Sequence, residues 1–158
     1  IHCRTPCQCY ECCADWSWLP RSKEASPELP LIANGDIVTP EDVSAVFALG
    51  VDGVMIGRGA IENPWIFNQA KHYLATGERL TAPSYEERIE LCIRHLKDSF
   101  EYRGPRGVPA FRKFYAHYLK GMPDSAKFRV SLMGFTEVEP IEAALLAYRE
   151  QVAGRALV

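Results

Sequence analysis

The sequence predicts an α/β segment with parallel strands over residues 1–80, followed by an all-α segment over residues 81–158. Three observations carry this expectation. Short apolar runs at 29–33 and 51–56 alternate with helical patterns across short connections, the mark of a βαβα unit. After Pro83 every periodic stretch has helical spacing. The 158 residues are 47% apolar and 24% charged, a globular composition with enough length to bury a core.

The elements follow in order. Ile1-His2 reads as the tail of a strand, and the rest of residues 1–28 as a loop-rich lead-in interrupted by Pro6, Pro20 and Pro27. Residues 29–33 form a buried strand that stops at the turn pair Asn34-Gly35. Thr39-Pro40-Glu41-Asp42 opens a helix with a capping hydroxyl, a proline at the first helical position and acids in the first turn. Val43, Val46 and Phe47 supply its buried stripe, and Gly50 its stop. Residues 51–56 make the second strand, ending at Gly57-Arg58-Gly59. Asn63-Pro64 then starts a helix with Ile66, Phe67, Ala70 and Leu74 on one face, closed by Gly77. In the second segment, Ser84 and Glu87 form a capping box ahead of Ile89, Cys92, Ile93 and Leu96. Gly104-Pro105 ends that helix. A stripe of Phe111, Phe114, Tyr115, Tyr118 and Leu119 follows, stopped by Gly121. A short helix after Asp124 precedes a final one carrying Ile141, Leu145, Tyr148 and Val152.

Composition narrows the functional classes. A net charge of −2 exerts no overall pull on nucleic acid, so RNA binding requires a local patch. No apolar run approaches the length of a membrane span and no basic-then-apolar leader is present, so a cytoplasmic protein without membrane contact is expected. The start within a strand, without methionine, suggests a fragment or a mis-called gene start. Five of six cysteines (Cys3, Cys7, Cys9, Cys12 and Cys13) crowd the first thirteen residues. No second Cys/His pair follows at finger spacing, so the expectation is an unusual loop without metal. Cys92 falls in a helical pattern as a small buried apolar group.

Two places are suited to chemistry. Parallel strands bring their C-terminal ends to one face, where ligands bind. One strand ends in Asn34-Gly35-Asp36, an amide, an unhindered backbone and a carboxylate; the next ends in Gly57-Arg58-Gly59, exposed N–H groups with a guanidinium. Together they suit a phosphate dianion. The second place is a basic stretch, with Arg103, Arg106, Arg112, Lys113, Lys120, Lys127 and Arg129 against the single acid Asp124. On a helix over 110–120, Arg112, Lys113 and Lys120 lie opposite the aromatic stripe and face solvent or RNA, with His117 nearby.

The motifs at 31–37 (LIANGDI), 52–60 (DGVMIGRGA) and 63–67 (NPWIF) resemble those of the tRNA-dihydrouridine synthases, most closely the bacterial B-type subgroup. His2-Cys3-Arg4-Thr5 is similar to that family's His-Gly-Arg-Thr segment at the end of the sixth strand, and Ala14-Asp15-Trp16 to its downstream loop. The stretch from Phe111-Arg112-Lys113 to Lys120-Gly121 is similar to its C-terminal helical domain. The resemblance implies that residues 1–80 are the C-terminal portion of an FMN-binding (β/α)8 TIM barrel and residues 81–158 a helical tRNA-binding domain. It implies that NADPH reduces FMN, that hydride passes from the flavin to a uridine of tRNA, and that a cysteine supplies the other proton. Carried over, His2, Asn34, Gly35, Asp36, Gly57 and Arg58 contact FMN, while Arg4, Arg112, Lys113 and Lys120 contact tRNA. The family's catalytic cysteine lies on an earlier loop that this sequence does not contain, and the family's flavin-contacting lysine and first five strands are missing from it as well. No residue here is therefore expected to be catalytic, the chain alone is expected to be inactive, and an N-terminal half of the same enzyme is the expected partner. Cys3, Cys9 and Cys12 stand where the family has glycine or another non-cysteine residue. Three other readings are a non-catalytic RNA-binding remnant, a different FMN- or phosphate-binding barrel enzyme, and a cysteine-cluster metal protein.

Overall fold

The structure, a computed structural model, describes residues 1–5 and 13–155, the side chains of 154 and 155 excepted. It divides into two compact units, Ile1–Thr81 and Ala82–Val158.

The first unit is built on a small parallel sheet. Strand β1 (Ile32–Asn34) pairs with β2 (Gly53–Met55) in the register Ile32 to Gly53, Ala33 to Val54 and Asn34 to Met55. His2 adds a parallel bridge to Asn34 on the other side of β1. That edge is secured by Asn34 N–H donating to Ile1 O and Cys3 N–H donating to Asn34 O, both at 2.9 Å. Paired residues share a face of a sheet and alternate residues change face. His2, Asn34 and Met55 therefore form one row across three segments, while Ala33 and Val54 point to the opposite, packed side. On that packed side Ala33 meets Val43 and Val46 of α2 (Pro40–Phe47), Ile37, Val51, Leu19 and Ala70.

Thr39 starts α2 as the sequence leads one to expect: its hydroxyl accepts from Asp42 N–H and the Asp42 carboxylate accepts from Thr39 N–H. The lead-in differs. A helix, α1 (Trp18–Ala25), forms where the prolines suggested loop, and it buries Leu19 completely. Pro20 sits in its first turn, where backbone N–H groups have no intrahelical acceptor to lose. Gly57-Arg58-Gly59 likewise opens a short helix, α3 (Arg58–Glu62), rather than a plain loop. In α4 (Ile66–Thr76), closed by Gly77 at φ 76°, Ile66 and Ala70 face the core. Phe67 and Leu74 are exposed, so the buried stripe is narrower than the sequence pattern.

The second unit is all helix. The capping box of Ser84 and Glu87 starts α5 (Tyr85–Arg103), which Gly104 ends at φ 61°. A 3-10 turn (Gly104–Arg106) leads to α6 (Gly107–Phe111), a second 3-10 turn (Arg112–Phe114) and α7 (Tyr115–Tyr118). Then come α8 (Ser125–Leu132) and α9 (Val138–Arg155). Ile89, Leu96, Phe111, Tyr115, Leu119, Leu132, Ile141 and Leu145 are fully buried. Gly107 lets α6 approach α5, since a Cβ there would stand 2.2 Å from Ser99 O.

The continuous helix expected over 110–120 is thus a chain of short pieces. A 3-10 turn advances 120° per residue instead of 100°. Arg112, expected to face solvent, is instead half-buried, and its Nη2 donates to Phe135 O at 3.4 Å. Among the described residues, no helix is long and apolar enough to cross a membrane.

Candidate functional site

The row of His2, Asn34 and Met55 ends at the C-terminal tips of the strands, and the polar residues gather just beyond it. Asn34 Nδ2 donates to Met55 O at 2.9 Å and ties the two tips together. Gly35 follows at φ 127°, and a Cβ there would press on Ala14 Cβ at 3.0 Å. The Trp16 indole N–H donates to Gly35 O at 2.9 Å, fastening the 13–17 segment against this turn.

Asp36 adopts a left-handed backbone, φ 53°. Its Oδ2 accepts from Ala14 N–H at 2.8 Å and pairs with Arg4 Nη2; its Oδ1 accepts from Arg58 Nη2 at 3.2 Å. One carboxylate thus holds two guanidiniums that come from different strand ends. Arg4 first, then the Ala14 N–H and the charge of Arg58, keep Asp36 below the usual carboxylate range against partial desolvation. The two arginines differ in access. The Arg4 side chain is 5% exposed and that of Arg58 55%.

The second strand end is set by close contact with the first. Gly59 is buried, and a Cβ on it would lie 2.6 Å from Ile37 O. Gly57 has open space beside its Cα, so the approach to the Arg58 loop is unobstructed.

His2, Arg4, Asn34, Gly35, Asp36, Gly57 and Arg58 line one open cleft of about 200 Å³, with Met55 and Glu62 also in its wall. Whole small-molecule sites span roughly 300–1,000 Å³. This cleft therefore suits the charged end of a ligand. Its donors are a clamped guanidinium and backbone N–H groups, the equipment for an oxyanion.

All six residues expected at the cofactor lie in this one cleft. Arg4, expected at tRNA, lies there too, with little surface to offer RNA. The pairing of His2 with Asn34 puts Arg4 beside Asp36, each two residues further on. That pairing is between distant segments, which is why no local pattern announces it. Of the residues expected at tRNA in the helical unit, Lys113 and Lys120 are exposed and Arg112 is anchored as described. Lys113 Nζ sits 5.0 Å from the Phe114 ring centroid.

Cys7, Cys9 and Cys12 lie outside the described residues. Cys3 is buried and burial pushes its thiol pKa up, whereas Cys13 is exposed. Among the described residues, no group of three His, Cys, Asp or Glu side chains could hold a metal ion.

Comparison with known proteins adds a separate line. The family described as Dihydrouridine synthase (Dus) matches residues 1–153. A probable tRNA-dihydrouridine synthase of Rickettsia conorii is 43% identical over 137 residues, covering 84% of this chain and 41% of that protein. The tRNA-dihydrouridine synthase B of Xanthomonas campestris is 39% identical over 152 residues, 95% of this chain and 45% of that protein. A probable tRNA-dihydrouridine synthase 1 of Synechocystis is 36% identical over 140 residues, 88% of this chain and 39% of that protein. The chain spans less than half the length of these relatives.

Proposed function

Since the chain belongs to the dihydrouridine synthase family, we propose that it serves a tRNA-dihydrouridine synthase, residues 1–80 as the C-terminal portion of a (β/α)8 TIM barrel and residues 81–158 as a helical tRNA-binding domain. The strand ends of the first part hold the phosphate of FMN, and NADPH is the reductant. When bound, FMN would supply the hydride that, together with a proton from a separate acid, reduces the C5–C6 double bond of a uridine in tRNA.

The observation that carries this reading is the shared cleft, with Asn34 at one strand tip, Arg58 beyond the next, and Asp36 between them. The residues fit the group. Arg58 is the accessible cation, Gly57 leaves the backbone beside it bare, Gly35 and Gly59 let the two loops pack closely, and the cleft has room for a phosphate group. Arg4 stays with Asp36 and sets the position of its carboxylate, which in turn orients Arg58. In the helical part, Lys113 and Lys120 track RNA phosphates, and Arg112, tied to Phe135 O, braces the turn that presents Lys113.

The test is a comparison of FMN with riboflavin, which lacks the phosphate, by flavin fluorescence with the whole chain. FMN binds about tenfold tighter or better, as charge-assisted hydrogen bonds allow, and Arg58→Ala removes the difference. Equal affinity for both flavins in the unaltered chain would overturn the assignment.

A further inference from the structure

We propose that the helical unit carries a second ligand site, a slot for one unpaired nucleotide of an RNA, between α5 and the turn at Lys113 and Phe114. A groove of about 260 Å³ lies there. His95, Asp98 and Tyr102 line it from α5, at the three- and four-residue steps that share a helix face, and Arg103 follows at its end. Lys113 and Phe114 form the other wall.

The lining combines flat aromatic surface with positive charge. The His95 ring is fixed, 4.8 Å from the centroids of both Phe111 and Phe114, with Nδ1 at 3.0 Å from the Tyr118 hydroxyl. Burial lowers its pKa, so it offers a neutral face. Tyr102 is 86% exposed, far more than a tyrosine that serves a core. Arg103 and Lys113 are both exposed, and the Lys113 ammonium lies over the Phe114 ring. Rings that stack a base, beside cations that meet its phosphates, are the means by which single-stranded nucleic acid is held without sequence readout. Asp98, the acid of the lining, is exposed and accepts an N–H from a base edge. A slot with two cations, an exposed tyrosine ring and the part-exposed rings of His95 and Phe114 suits a nucleotide by its chemistry.

This site deepens the tRNA reading and can fail separately from it. The probes are a ribotrinucleotide with a central 2-aminopurine, whose emission drops on stacking, and unmodified tRNA in a filter-binding assay. The whole chain quenches the trinucleotide saturably. Tyr102→Ala, at a position too exposed to disturb folding, weakens that binding about tenfold, and Tyr102→Phe restores it. Lys113→Ala weakens it and flattens its salt dependence. Lys97→Ala, on a lysine paired with Glu142 and outside the groove, changes neither. Trinucleotide affinity indifferent to Tyr102→Ala, or no quenching by the unaltered chain, overturns the slot. Should tRNA bind equally well to the unaltered chain and to Tyr102→Ala, the slot falls and the tRNA reading stands. Should the trinucleotide bind in this manner and tRNA not, the slot stands and the tRNA reading falls.

Discussion

The α/β unit and the helical unit solve the burial problem differently. In the helical unit the large apolar side chains close on one another, with Phe111, Tyr115, Leu132, Ile141 and Leu145 all at 0% exposure. In the α/β unit, among the described residues, one face of the sheet is packed. Ile32 and Met55, on the row side of β1 and β2, are 53% and 61% exposed. Parallel sheets are ordinarily covered on both faces. Among the described residues, the unit that carries the polar cleft thus shows one open sheet face, and its strand tips are joined by hydrogen bonds and ion pairs. Charged groups that must meet a ligand have to stand where strands end, whereas a helical core can be sealed and leave its outer face to long-range charge.

The two units can be told apart in solution, because Trp16, Trp18 and Trp65 all lie in the first. Tryptophan emission then follows the α/β unit, and helical ellipticity is weighted toward the second. The largest effect expected is from Gly107→Ala, whose methyl has no room against Ser99 O. It costs about 3 kcal/mol in chemical denaturation, seen in ellipticity, with the tryptophan transition little moved. A common shift of both signals would dissolve the contrast.

Next is Asp36. Replacement by Ala removes the carboxylate shared by Arg4 and Arg58 and leaves a left-handed Ala, a loss of about 2 kcal/mol in the tryptophan-monitored transition. Asp36→Asn keeps a side chain that tolerates this backbone and loses less. Because the folded carboxyl titrates below its ordinary value, its contribution is complete above about pH 3.9 and drains away as the pH falls through the lower folded value. Asp36→Asn flattens that part of the pH profile; an unchanged profile would mean that the clamp adds nothing. The smallest effects are the matched caps. Thr39→Ala and Ser84→Ala each cost about 1 kcal/mol, the first read in tryptophan emission and the second in ellipticity.

Local signals were legible in the sequence where the structure uses local physics. Both capping boxes and the glycine stops at Gly77 and Gly104 follow from residues a few positions apart, and the strands end within one residue of positions 33 and 56, where the sequence stops them, although each is only three residues long. Features set by distant segments were not. The α1 helix owes its place to Leu19 entering the core around Ala33 and Val46, and the proline at position 20 falls in its first turn, where it is tolerated. The 3-10 turn at 112–114 answers to the packing of α6 on α5 through Gly107, and it takes Arg112 away from the solvent face that helical periodicity assigns to it. The ion cluster of the cleft has the same origin. Each of Arg4, Asp36 and Arg58 is plain in the sequence, but that they meet depends on a strand register no short window contains.

One hydrogen atom has a large effect on that cleft. At Gly59 the Cα bears hydrogen where any other residue type would bear carbon, and Ile37 O occupies the space a methyl would need. The reach from Asp36 to Arg58 is accordingly gauged by main chain touching main chain, which side-chain rotamers cannot adjust. A variant that is to admit a bulkier anion would first have to part the two loops, whatever charges it placed around this cradle.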